Sequence, residues 1–256
     1  MKLGFIGTGK IASSVITGIF SSKISFSEIE VSSRNTLIAK KLKKKFKKII
    51  IKKNNQEIVD SCNWIFLSVT PNVGKKIIKN LRFRSNQTVI SFISTITLSQ
   101  LKKAIKVKAN IVRAIPLPPI SLKKGPVPIF PPNKKVKSFF NKIGTTIEIK
   151  NEELSKIFWS TSGMMASFYE LLRVMANWLV KKGIKRIDAQ TYITTLFMAL
   201  SEDAVVNSKK DLKYLVRESQ TKKGLNEQGL NELKKMKFYN TLEKAINKIL
   251  KRLKNN

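Results

Sequence analysis

Gly7, Gly9 and Ala12 stand at G-x-G-x-x-A spacing in the segment GTGKIA, between the apolar run LGFI and the stretch KIASSVITGIF. This pattern holds a phosphate through the backbone. The first glycine permits a tight turn, the second lets a ligand approach the main chain, and the small third residue lets the following helix pack closely on the strand. A pyrophosphate placed there meets free N–H groups and the positive end of the helix, so the pattern predicts a dinucleotide site. Further on, VSSRN puts Ser32, Ser33, Arg34 and Asn35 where a site for an unphosphorylated ribose usually carries an acid. Hydroxyls and a guanidinium in that place suit a 2′-phosphate, and the expected cofactor is NADPH rather than NADH.

Absences narrow the chemistry further. The chain has no histidine and one cysteine, Cys62, which excludes imidazole bases, histidine-ligated metals and thiolate clusters, so no metal is expected. Hydride transfer needs none of these, because the cofactor carries the difficult step. Cys62 has no partner for an internal disulfide and opens the apolar run CNWIFLSV, as a small core residue would in a reducing, cytoplasmic setting.

The elements that must position this turn are legible from periodicity. LGFIG, IEVSS, KIIIK, WIFLSV, VISFIS, NIVRAI and TTIEI read as strands, separated by helical stretches such as KIASSVITGIFSS, NTLIAKKLKKKF and a short helix near Gln56 to Asp60. That alternation predicts βαβ units and a parallel sheet, an α/β Rossmann domain over residues 1–150. Proline-rich PLPPISLKKGPVPIFPP reads as a loop-rich crossing, unable to sustain a helix or a central strand. From residue 151 to 256 the strands vanish and an all-α domain follows, with Gly183 ending one of its helices. Its large apolar side chains, Trp159, Trp178, Phe168, Met164, Met165, Met175 and Phe197, are expected to form a core rather than line a ligand pocket, on a surface that could pack against the first domain or a second subunit.

Charge points elsewhere at first. Lys and Arg number 50 against 16 Asp and Glu, a formal +34, and such a field attracts nucleic acid at low salt. The lysines recur along the whole chain instead of forming one stripe, which fits compositional drift, and no specific nucleic-acid partner is expected. The runs KKLKKKFKK at 40 to 48 and KILKRLKNN at the C-terminus read as solvated helix faces. Met1 and Lys2 before an apolar run resemble a leader, but Gly7, Gly9 and Lys10 interrupt it and suit a strand and turn better. No other run is apolar for about 18 residues, and no membrane span is expected.

GFIGTGKIA, WIFLSVTPN, VRAIPLPP and STSGMMASFYELL fall in the order and rough spacing of the pyrroline-5-carboxylate reductases, a family that the chain resembles along nearly its whole length. The resemblance implies a Rossmann domain followed by a helical dimerisation and substrate domain, hence a homodimer or higher homo-oligomer. It also implies reduction of a small imino acid, pyrroline-5-carboxylate, to proline in proline biosynthesis. Carried over by position, it makes Gly7, Thr8, Gly9, Lys10 and Ile11 the pyrophosphate turn and puts Ser33 and Arg34 at the 2′-phosphate, with Val69, Thr70, Pro71 and Pro116 beside the cofactor. Thr70 replaces the family's lysine, and Leu117 and Pro118 replace its asparagine and threonine. On the substrate side it implies Ser162, Gly163, Lys222, Gly224 and Asn226, with Thr221 and Ser219 as candidate catalytic hydroxyls. The family's Ser-Pro-Gly-Gly-Thr-Thr loop is here Ser219 to Gly224. With LNEQ after it, this loop matches a divergent branch at Thr221, Lys222, Gly224, Leu225, Asn226, Glu227 and Gln228, with Lys223 in place of a glycine. The implied step is hydride delivery to the C=N carbon, with Thr221 or a water serving the nitrogen. Loss of the family's asparagine, threonine and glycines leaves a second reading, a non-catalytic NADP-binding sensor or scaffold of the same fold.

Overall fold

The computed structural model describes residues 1–255, and the chain divides into two compact units, Met1–Ser155 and Lys156–Asn256. The first unit alternates strands and helices: β1 (Leu3–Ile6), α1 (Lys10–Phe20), β2 (Ile29–Ser32), α2 (Thr36–Lys45), β3 (Ile49–Lys52), α3 (Asn55–Ser61), β4 (Trp64–Leu67), α4 (Pro71–Ile77), β5 (Thr88–Ser91), α5 (Leu98–Ile105), β6 (Asn110–Ala114), β7 (Pro126–Phe130), α6 (Lys134–Phe140) and β8 (Thr145–Glu148). Eight strands form one sheet in the order β3-β2-β1-β4-β5-β6-β7-β8. The strand order reverses at β1, whose Leu3 pairs with Ile29 of β2 on one side and Trp64 of β4 on the other. In an open α/β sheet such a reversal opens a crevice at the carboxyl ends of the strands.

Successive side chains of the strands enter opposite faces, and each face has its own core. Leu3, Phe5, Val31, Phe66, Ile90 and Val112 pack with α1 residues Ile16 and Ile19 and with Phe139 and Phe140 of α6. Ile6, Ile65, Leu67, Val89 and Ile111 pack with Ile58, Val59 and Leu101. The rings of Phe5 and Phe66 stack at 4.3 Å across β1 and β4. Burial on both faces explains the near-continuous apolar runs of these strands.

The proline-rich crossing differs from expectation. Pro118–Leu122 forms a 3-10 turn, and Pro126–Phe130 is a strand inside the sheet, antiparallel to β6 and parallel to β8. Its prolines are tolerated because both would aim an N–H at β6. The Pro128 carbonyl accepts from Ile115 N–H on that side, while Ile129 C=O accepts from Ile149 N–H on the β8 side. The missing donors therefore leave the β8 ladder intact and cost only the seam with β6, whose register is two residue pairs, Arg113 with Phe130 and Ala114 with Ile129. The sheet is mainly parallel with this one antiparallel junction.

Cys62 caps α3 and is fully buried. Burial pushes its thiol up to about 12, and the nearby Glu30 carboxylate adds to the shift. The native thiol is therefore neutral near pH 8 and expected to ignore a thiol-specific chromogenic disulfide until denaturant is added. Rapid labelling of the native chain would contradict this packing.

The second unit is helical: α7 (Leu154–Ser162, which begins at the boundary), α8 (Met165–Lys181), α9 (Arg186–Val206), α10 (Lys213–Glu218), α11 (Leu225–Lys235) and α12 (Phe238–Lys254). Gly183 follows α8, and Ile184 N–H bonds back to Leu179 C=O to close the helix. The expected core of large apolar residues is not found within the single chain. Only Ala176, Ala189 and Ile193 are buried hydrophobics among the described residues of α8 and α9, whereas Trp178 is 59% exposed and Phe168 43%. Trp159, Met164, Met165, Met175 and Phe197 are partly exposed. Helical periodicity reports that a stripe is meant to be covered, not which chain covers it. Among the described residues no helix is long and apolar enough to cross a membrane.

Candidate dinucleotide-binding site

A cleft of about 460 Å³ opens at the carboxyl ends of β1, β2 and β4. Its walls are Gly7, Thr8 and Gly9 from the turn after β1, Arg34 to Leu37 from the start of α2, and Ser68, Val69 and Thr70 after β4. Two glycines shape it for different reasons. Gly7 has φ +101°, and a Cβ there would lie 2.5 Å from the Ser68 carbonyl oxygen, so only glycine fits. Gly9 has ordinary extended angles, φ −68° and ψ −175°, and a Cβ on it would meet nothing within 4 Å. The space above Gly9 is part of the open cleft, free for a ligand to approach the backbone.

The Gly7 peptide is held from both neighbouring strands. Ser32 Oγ accepts from Gly7 N–H at 2.8 Å, and Ser68 Oγ donates to Gly7 C=O at 2.7 Å. Gly9 N-caps α1 without any side-chain cap, so the first N–H groups of that helix have no capping acceptor. Beside them Thr8 is 2% exposed and its buried Oγ1 has no hydrogen-bond partner. Arg34 is exposed on the opposite wall, and no carboxylate lines the cleft. Unclaimed donors, open backbone and one guanidinium are the features an anionic dinucleotide requires, and the residues fit NADPH on these grounds.

Several expected cofactor residues stand just outside the lining. Lys10 is the exposed first residue of α1, and Ile11 packs on the core beneath it. Ser33 Oγ donates to Lys53 C=O at 3.1 Å, Pro71 is the first residue of α4, and Pro116 is buried just beyond β6. Asn35 lines the cleft beside Arg34 as the VSSRN segment led one to expect, whereas Thr36, Leu37 and Ser68 line it without having been singled out as site residues. A polar residue closing the apolar run WIFLSV beside the strand reversal was the available signal for Ser68.

The expected substrate residues all lie in the second unit, on two separate stretches. Ser162 ends α7, its hydroxyl donating to Phe158 C=O, and Gly163 follows it beside Ile249 of α12. Ser219 to Gly224 connects α10 and α11 as a tight turn, with Gly224 N–H donating to Thr221 C=O at 2.7 Å. The Asn226 amide donates to Ser219 C=O, and Ser219 Oγ donates to Val216 C=O. Those two side chains hold the loop in shape, leaving Thr221 and Lys222 exposed on it. Lys223, where the divergent branch has glycine, adopts φ 62° and its N–H donates to Glu227. A non-glycine residue tolerates that conformation at a cost of about 1 kcal/mol.

Residues 2–95 match the family model described as NADP oxidoreductase coenzyme F420-dependent, and residues 152–256 match that of pyrroline-5-carboxylate reductase dimerisation. The chain is 21% identical over 256 residues to the pyrroline-5-carboxylate reductase of Staphylococcus saprophyticus, covering 96% of this chain and 94% of that one. Its fold is similar to that of the Coxiella burnetii pyrroline-5-carboxylate reductase, with TM-score 0.85, 19% identity and coverage of 99% and 97%. It is also similar to the Plasmodium falciparum enzyme solved with NADP bound, with TM-score 0.82, 22% identity and coverage of 100% and 97%. With an NADP oxidoreductase match over residues 2–95 and a pyrroline-5-carboxylate reductase dimerisation match over residues 152–256, the chain is similar along nearly its whole length to pyrroline-5-carboxylate reductases.

Proposed function

We propose that this chain is a cytoplasmic NADPH-dependent reductase that converts pyrroline-5-carboxylate to proline and works as a homodimer or larger homo-oligomer. The observation that carries the reading is the Gly7–Gly9 cleft with Arg34, and no carboxylate, on its wall. The exposed apolar faces of α8 and α9 and the dimerisation match support the assembly.

When bound, NADPH supplies the hydride for the C=N carbon. The turn Gly7 to Ile11 and the N-terminus of α1 hold the pyrophosphate, while Arg34 and Ser33 take the 2′-phosphate. Val69, Thr70, Pro71 and Pro116 flank the cofactor. Ser162, Gly163, Lys222, Gly224 and Asn226 form the substrate side, where Lys222 supplies charge to the carboxylate in place of glycine amides. Thr221 hydrogen-bonds at the imine nitrogen, with Ser219 holding the turn that carries it.

Purified full-length protein mixed with pyrroline-5-carboxylate is expected to oxidise NADPH faster than NADH, with a substrate-free blank silent. NADPH binding without turnover would instead support the non-catalytic alternative. Arg34→Ala is expected to raise the KM for NADPH by about 10-fold to 100-fold, the worth of one charge-assisted contact, with little change for NADH. An equal loss with both cofactors would remove Arg34 from the 2′-phosphate site.

A further inference from the structure

We propose that the outer face of α2 is a docking surface for the phosphate backbone of a nucleic acid, recognised by charge and not by base sequence. The proposal stands apart from the dinucleotide reading. Residues 40–48 include seven lysines, all exposed. Ala39 and Leu42 turn inward to the core, so Lys40, Lys41, Lys43, Lys44 and Lys45 share the remaining arc of the helix. Lys40 stands three and four residues before Lys43 and Lys44, and Lys41 stands likewise before Lys44 and Lys45. Like charges at that spacing weaken a helix. No acid relieves them. From residue 31 to 56 the sequence has none, and the acids nearest in sequence are engaged elsewhere. Glu28 pairs with Lys2, buried Glu30 pairs with Lys52, and Glu57 accepts from the Asn54 amide. A bound polyanion would supply the missing counter-charge.

Two of the cations are already ordered. Lys45 Nζ lies 5.2 Å from the centre of the Phe46 ring and Lys48 Nζ 5.4 Å from that of Phe26, and both rings pack on Phe20. Such contacts lower the entropy that these side chains lose on binding. One helical turn separates Lys40 from Lys44 and Lys41 from Lys45 by about 6 Å. Two phosphate steps of one DNA strand advance about 7 Å along the axis. Lysine offers point charges without the planar fork that reads bases, so sequence is ignored. A membrane surface fits less well. Ile38, Ala39 and Leu42 are spent on the core and Leu37 lines the dinucleotide cleft, which leaves α2 no apolar side to insert.

Fluorescence anisotropy of a short, labelled DNA duplex of mixed sequence, titrated with the full chain across a salt series, tests this. One variant removes four charges from α2: Lys40→Gln, Lys41→Gln, Lys44→Gln and Lys45→Gln together. A control of equal net charge removes four from α12: Lys244→Gln, Lys248→Gln, Lys251→Gln and Lys254→Gln. The α2 variant is expected to lose about 3 to 4 from the slope of log affinity against log salt, and about 100-fold in affinity at ~0.15 M salt. The control is expected to lose less than about 1 of slope. Equal losses in both variants leave only a field of net charge and overturn the proposal, as does an undiminished α2 variant or a wild type that releases the duplex at that salt. Phosphatidylserine vesicles that hold wild type more tightly than the duplex does would overturn it in favour of a membrane. Should the α2 variant fail to fold, acetylation of wild type with and without the duplex takes its place. DNA is expected to shield Lys40, Lys41, Lys44 and Lys45 while the α12 lysines stay reactive, and equal shielding overturns the proposal.

Discussion

Replacing Gly9 by valine is expected to abolish tight NADPH binding while leaving the protein as stable as before. The backbone angles at Gly9 suit any residue and its Cβ position is empty, so the fold loses nothing. Side-chain atoms there would instead fill the approach to the N-terminus of α1. Forfeiting two hydrogen bonds to a charged phosphate, at ~1.5 kcal/mol each, weakens binding by about 100-fold. Gly7→Ala makes the contrast, because its Cβ strikes the Ser68 carbonyl in a left-handed backbone. Strain of ~1–2 kcal/mol plus that overlap should lower the thermal midpoint as well. Binding titrations with melting curves on both variants separate the two glycines, and a destabilised Gly9→Val would contradict the open space above it.

Thr221→Ala is expected to lower kcat by about 100-fold, the lower end for a positioned proton donor, with NADPH affinity unchanged. Thr221 is exposed, and the turn around it is held by its backbone carbonyl and by Asn226, not by its hydroxyl. The substitution therefore reads out chemistry and not loop shape. Undiminished turnover would shift the proton to a water or another group.

Much of the first unit was legible because a βαβ repeat writes itself in local patterns. Apolar runs mark strands buried on both faces, and GTGKIA marks the turn between β1 and α1. Less legible was anything set by register between distant segments. Ser32 and Ser68 meet at Gly7 only because β2 and β4 flank β1, and no local pattern carries that. The strand β7 was hidden by its prolines, since a rule about lost donors is silent on the direction in which those donors would have pointed. The ion pair of buried Arg113 with Glu152, which also accepts from Leu98 N–H, was missed for the same reason. In the second unit the helical character followed from periodicity and one helix end from Gly183, but the expected core did not follow, because a stripe carries no label for its partner.

That uncovered stripe bears on how the protein behaves on dilution. Trp178, Tyr192 and Met198 are each more than half exposed in one chain, so in the proposed homo-oligomer the apolar faces of α8 and α9 gain burial on association. Folding of this unit is then linked to assembly by mass action. The melting temperature is then expected to rise with protein concentration, and a melt that does not change on dilution would contradict the proposed assembly.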